Sequence, residues 1–299
     1  MDTLAAFDTD HLPLRAEDRL HRRLAALNRQ RFVPALPDAD WQQRQAERAA
    51  LLQEEHDYLE ALRGDISAAA AAAPTAPRDF RAWFEGLKES GPGQNDPLFP
   101  WLAERASRDQ MRWYLRQEVA GEAGFDDLVA LTQVKLPARA KLELARNYWD
   151  EMGRGQAKGM HGPMLETLSA ALVLDPRVDE TVWESLALAN TMAGLAADRC
   201  YAYHAVGALG AIELTAPGRS AFVAAGLRRL GVPPGDRHYF DLHAILDVKH
   251  SAAWNEEVIE SLVAEDPRIA IAIAEGALMR LTCGARCFAR YRDILRVPA

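Results

Sequence analysis

From Asp79 onward the apolar positions recur every three to four residues, in runs separated by short stretches rich in Pro and Gly. That period belongs to helices with one buried face. Phe80, Trp83, Phe84 and Leu87 form the first such face, and residues 89–98 (ESGPGQNDPL) read as a loop. Helical patterns follow at about 99–118, 122–134, 138–152, 162–173, 180–196, 198–215, 218–229, 236–262 and 266–295. Pro137, Pro163, Pro176, Pro217, Pro233, Pro234 and Pro267 fall between these patterns or in first turns, where a missing N–H is tolerated. Alternation typical of strands is scarce, and no repeat of fixed period occurs. The expected class is all-α, a multi-helix bundle.

The first 67 residues carry two further helical patterns. One is amphipathic and begins at Asp18. The other runs from Trp41 to Arg63, where Leu51, Leu52, His56, Leu59 and Leu62 keep the period. Pro34, Pro37 and Asp38 separate them, and Asp40 is placed as an N-cap. Residues 68–78 (AAAAAAPTAPR) read as a low-complexity linker. The expected organisation is an N-terminal helical arm and linker over 1–78 and a main helical domain over 79–299.

Composition narrows the function classes. The 299 residues are 49% hydrophobic and 26% charged, as in ordinary globular chains. A net charge of −8 argues against a nucleic-acid partner. Three cysteines do not make a disulfide framework. The start, MDTLAAFDTDHLPLR, lacks the basic and apolar regions of a signal peptide, and no run of 18 apolar residues exists. A cytoplasmic protein without a membrane partner is expected.

The chemistry lies in ionisable residues on apolar helices. His243, Asp247 and His250 stand at i, i+4 and i+7, roughly 400° and 700° around a helix, so they share one face. Two imidazoles and a carboxylate on one face suit iron, manganese or zinc. The neighbours Leu242, Ile245, Leu246 and Val248 predict a helix buried on much of its surface. The ordinary alternative is a solvent-facing polar stripe.

Glu151 and His161 stand ten apart with Gly153, Gly155 and Gly159 between them. A helix break at those glycines turns both side chains toward one centre; a surface loop with unrelated ends is the competing reading. Glu213 is the single charge in Ala205–Leu214, and a lone buried carboxylate is costly unless paired, protonated or metal-bound. Glu118 lies one turn before Glu122, with Asp126 and Asp127 nearby, and which of these faces inward stays open. Together the set holds four carboxylates and three imidazoles, about what two metal ions need in a bundle core. It lacks the paired Glu-x-x-His motifs of ferritin-like sites.

The order and spacing of these residues resemble the haem-oxygenase-like di-iron oxidases, or iron-containing redox enzymes. The matching elements are Glu118, then Glu151-x9-His161, then Glu213, then His243-x3-Asp247-x2-His250, at intervals of 33, 52 and 30 residues. The Asp150–Gly155 run and Glu275–Leu281 are also similar, so the resemblance spans roughly 99–295, leaving the arm outside it. It implies a haem-oxygenase-like α-bundle without haem, with all seven residues as ligands of two Fe2+ ions. O2 is then the co-substrate, activated through a peroxo-di-iron species that oxidises a small molecule in a biosynthetic pathway. Known reactions in the family include N-oxygenation, oxidative C–C cleavage of amino acids and decarboxylation of fatty acids to alkenes. An amino-acid- or amine-like substrate is favoured here, because no long apolar segment suggests a tunnel.

Arg116, Arg154, Arg286 and Tyr291 are candidates for holding a substrate carboxylate, though each is also an ordinary surface or structural residue. The alternatives are a fatty-acid-decarboxylating or desaturating relative, a thiaminase-like or quinone-forming protein of the same fold, and a non-catalytic helical adaptor. A haem oxygenase proper needs an N-terminal proximal His, and His11 and His21 lie in polar stretches. Cys283 and Cys287 read as packed free thiols. Oligomeric state stays open, with a homodimer through the arm as one option.

Overall fold

The structure is a computed structural model that describes residues 15–37, 40–122 and 124–298; Asp38 and His11 lie outside them. It is all-α among those residues, with a single isolated β-bridge between Met152 and Met160.

The arm forms α1 (Ala16–Phe32) and α2 (Trp41–Ala71). The Ala tract expected as linker continues α2, since Ala has the highest helix propensity of all residues. Only 72–76 connect it to α3 (Pro77–Ser90), which Pro77 opens at a position where proline is at home. The arm is welded to the body. Leu59, Leu62, Ile66 and Ala70 of α2 belong to the same buried cluster as Leu195, Leu209, Trp254 and Ile273. Arg31 and Glu55 form a pair with side chains only 4% and 5% exposed, with two hydrogen bonds of 2.8 Å.

The body begins with α4 (Leu98–Glu104) and α5 (Arg108–Ala120). The single helix expected over 99–118 is split because Ser107 and Gln110 form a reciprocal capping box that starts α5 afresh. Next come α6 (Phe125–Thr132), α7 (Ala138–Glu151), α8 (His161–Ala171) and α9 (Trp183–Ala197). The helices expected at 198–215 and 218–229 are one continuous α10 (Ala202–Arg229) with Pro217 inside it. The pattern at 236–262 becomes α11 (His238–Ala253), a π-helical turn (Trp254–Glu260) and α12 (Ser261–Glu265). The chain closes with α13 (Ile269–Leu295).

The central pair is α10 and α13, which cross almost backbone to backbone. A methyl group on Gly207 would lie 1.9 Å from the Ile273 carbonyl oxygen, and one on Gly276 would lie 1.9 Å from that of His204. Only glycine permits this approach. Two apolar clusters flank the crossing. One gathers α2, α3, α7, α9 and the π-turn; the other gathers α4, α5, α8 and Phe240 of α11. Among the described residues no helix is long and apolar enough to cross a membrane.

Candidate metal centre

Between α5, α7, α8, α10 and α11 lies a cavity of about 210 Å³. Its wall includes Glu118, Glu151, His161, Glu213, His243 and Asp247, six of the seven residues expected from the sequence. The seventh, His250, stands against Glu213, with Nδ1 3.7 Å from its carboxylate.

Helix α11 carries its three residues in a way that reverses ordinary amphipathicity. His243, Asp247 and His250 are buried, whereas Ile245 and Val248 are 72% and 58% exposed. The expectation that the flanking aliphatics would bury this helix is therefore corrected. The polar face is inside, and apolar burial does not explain that choice, so another interaction must offset the desolvation.

Glu151 ends α7 and His161 begins α8. The expected break lies between them. Gly153, Arg154 and Gly155 adopt positive φ, and the Met152–Met160 bridge closes the reversal. A methyl group on Gly153 would come 2.3 Å from the Gly159 carbonyl carbon, so the crossing requires glycine. The result places His161 Nδ1 2.5 Å from Glu151 Oε2. Yet His161 Nδ1 has no partner in hydrogen-bonding geometry. The two donor atoms converge on a common point rather than bonding each other.

Two donor groups overlap here. Glu151, His161 and His243 place ligand atoms within 4.8 Å of one another, and so do Glu151, Glu213 and His250. Glu151 is common to both. Asp247 and Glu118 belong to neither group, although they face the same cavity. Glu118 is held by Tyr291, whose hydroxyl donates at 3.0 Å, and by Tyr114 at 3.4 Å. Glu122 also lines the cavity, and its carboxylate accepts the Gly124 N–H at 3.1 Å.

The outer atoms of these side chains are anchored. His243 Nδ1 donates to the Tyr239 carbonyl at 2.7 Å, which leaves Nε2 as the lone-pair nitrogen. His250 Nε2 donates to Asp150 at 3.1 Å, leaving its unpartnered Nδ1 as the inward atom. Asn147 donates to Glu213 Oε1 at 2.6 Å, while Glu213 Oε2 and Asp247 Oδ1 have no partner. Asp150 and Asn147 were missed by sequence reasoning. A signal exists for both: Asn147 precedes Glu151 by one helical turn, and Asp150 precedes Arg154, with which it pairs at 2.6 Å, by four residues.

Electrostatics confirm the strain. Burial, then Asp247 and Glu151, push the Glu213 carboxyl well up, with the Asn147 bond opposing. Asp247 is pushed up to about 8 by burial and by Glu151. Burial and His161 lower His243 to about 4. Two acids that resist ionising, Glu213 and Asp247, beside an imidazole that resists protonating, His243, form a centre short of positive charge. A divalent cation would supply it and engage the orphaned oxygens and nitrogens together. The donor set therefore fits iron.

The candidate carboxylate holders named from the sequence lie elsewhere. Arg116 faces Glu180 at 3.6 Å, Arg154 pairs with Asp150, and Arg286 reaches Asp65 at 3.4 Å. Tyr291 touches the site through Glu118. His21 is buried between Tyr58 and Trp183 and has no part in the cavity wall. Cys283 and Cys287 are buried free thiols, as expected.

The family model described as iron-containing redox enzyme matches residues 112–285. No curated protein matches the chain. Among solved structures, a crystal structure of a CADD-like protein of unknown function from Nostoc punctiforme is similar at 17% identity. The match covers 74% of this chain and 97% of that one, with a TM-score of 0.54. A second crystal structure carrying the same description matches at 16% identity and a TM-score of 0.53, covering 74% and 94%. These likenesses show the all-α, haem-oxygenase-like fold.

Proposed function

Since the chain belongs to the iron-containing redox enzymes, we propose that it is a non-haem di-iron oxidase or oxygenase. It uses O2 to oxidise a small amine- or amino-acid-like molecule in a biosynthetic pathway, by N-oxygenation or oxidative C–C cleavage. The observation that carries this reading is the sharing of Glu151 by two buried donor groups. One carboxylate common to two sets supports a pair of metal ions held side by side.

Glu151, His161 and His243 would hold one ion, and Glu151, Glu213 and His250 the other, with Asp247 and Glu118 closing the set from the same cavity. Ferrous ions held there would supply the electrons for reducing O2. The protein's part is to position and to exclude. The Tyr239 carbonyl and Asp150 fix the tautomer and aim of His243 and His250, and Asn147 holds one oxygen of Glu213 while freeing the other. Leu165, Leu188, Ile212, Val223 and Phe240 line the rest of the wall and keep water from the reacting atoms. A volume of about 210 Å³ lies below the usual range for drug-sized ligands, which favours a small substrate over a long fatty acid.

The test is an anaerobic Fe(II) titration of the full chain. About two irons per chain are expected from two overlapping groups. Glu151→Ala should lose both and His243→Ala one. A wild type that takes no iron, or variants that bind as it does, would remove the di-iron reading in favour of a helical adaptor. O2 consumption screened against amines and amino acids then identifies the substrate.

A further inference from the structure

The metal cavity has a second charged wall. Arg219 of α10 and Arg280 of α13 line it as well. Arg280 is 9% exposed, and its Nε and Nη1 have no hydrogen-bond partner. Arg219 Nη1 is likewise buried and unpartnered. Its Nη2 donates to Thr215 Oγ1 at 2.8 Å, and its guanidinium lies 5.5 Å from the centre of the Phe288 ring, so the head is held in place. Gly284 makes room for the other head, since a methyl group there would fall 2.8 Å from Arg280 Nη1.

Buried guanidinium N–H groups without acceptors are costly, and two like charges on one wall add to the cost. Protein groups do not resolve this. Glu118, whose charge acts on both guanidiniums, already accepts from Tyr291 and Tyr114 and belongs to the proposed ligand set. Glu122 and Asp126 share the cavity wall, but neither bonds to the unpartnered Arg219 Nη1 or to Arg280 Nε and Nη1.

We propose that Arg219 and Arg280 form a carboxylate-binding subsite that holds the acidic end of the substrate. A carboxylate matches the forked N–H geometry of guanidinium and supplies acceptors to the N–H groups that have none. Anchored at the α10–α13 wall, a small carboxylic acid extends toward Glu151, His161 and His243. The atom presented for oxidation is then on its far end, and the carboxylate itself is a handle. Orientation toward the metals rests on the di-iron reading, whereas the subsite itself does not.

Three six-carbon probes separate the possibilities: hexanoate, its neutral amide hexanamide, and hexylamine. Each is titrated by equilibrium dialysis and thermal shift into the full chain, both metal-free and loaded anaerobically with Fe(II). Hexanoate should bind and raise Tm by several degrees in both forms, and the other two should not. Arg280→Met and Arg219→Met should each weaken hexanoate by about tenfold or more, the loss of one charge-assisted bond. Arg280→Met should not lower the Tm of the unliganded chain, because buried N–H groups without partners are being removed. Should a Met variant fail to fold, Arg280→Lys and Arg219→Lys keep the charge and lose the fork, and must bind hexanoate more weakly.

The proposal is overturned if hexanoate and hexanamide bind alike, if hexanoate does not bind, or if the Arg variants leave its affinity unchanged. Iron stoichiometry is read in the same samples. Arg-dependent hexanoate binding without iron uptake would keep the subsite and remove the di-iron reading; two irons without such binding would do the reverse.

Discussion

At the scale of single residues, the site is governed by protons as much as by geometry. Asp247 rests at about 8 in the folded chain against an ordinary 3.8. The metal-free fold therefore keeps a proton that the unfolded chain releases, and its stability falls as pH rises from about 4 to about 8. Iron displaces that proton, so Fe(II) should raise Tm more at about pH 8 than at about pH 6. Differential scanning calorimetry under argon at both pH values checks this, and an equal or opposite effect would count against Asp247 as a ligand. Asp150 makes a separate prediction. Burial pushes its carboxyl up, but Arg154 and His250 outweigh that and hold it below the usual range, so it is ionised and able to fix His250. Asp150→Ala should weaken iron binding roughly 10- to 100-fold with the far-UV spectrum unchanged. The ligand candidates were legible as residues because spacing alone put His243, Asp247 and His250 on one face. Their supports were not, because a carbonyl such as that of Tyr239 has no signature in sequence. Arg219 and Arg280 were also hidden: an arginine inside a helix looks the same whether it meets water or a cavity.

Elements show where periodicity succeeds and where it stops. The Gly153–Gly159 stretch was legible as a break, since glycine is poor in helix interiors, and the structure uses it to bring Glu151 to His161. The division of 99–118 and the fusion across Pro217 were not legible. A capping box overrode a continuous apolar pattern in the first case, and packing of α10 over its whole length overrode a helix breaker in the second. The closest approach is between α10 and α13. Gly207→Ala should cost on the order of 1–3 kcal/mol, because the added methyl must force two backbones apart. Urea denaturation measures it, and Gly218→Ala, where nothing lies within 4 Å, serves as the control with little or no loss.

For the whole molecule, the arm and body unfold together if their shared core is what it looks like. His21 reports on that junction. Burial lowers it to about 4 from an ordinary 6.5, with Glu17 opposing and Arg286 adding to the shift. The unfolded chain takes up a proton below about 6.5 that the folded chain refuses until about 4, so stability is lost as pH falls through that window. His21→Phe should flatten the acid limb of the stability profile by about 2 kcal/mol, and an unchanged limb would show that the arm is not the acid-sensitive part. The π-turn at Trp254–Glu260 has a consequence of a different kind. On one side of it the rod is in phase with the candidate metal centre through His243, Asp247 and His250; on the other it is in phase with the core through Leu262 and Val263. One extra residue per turn lets the two registers be set independently. Ligands and packing can then be rewritten separately along a single helix, so a lineage could retune what the centre oxidises while inheriting its scaffold intact.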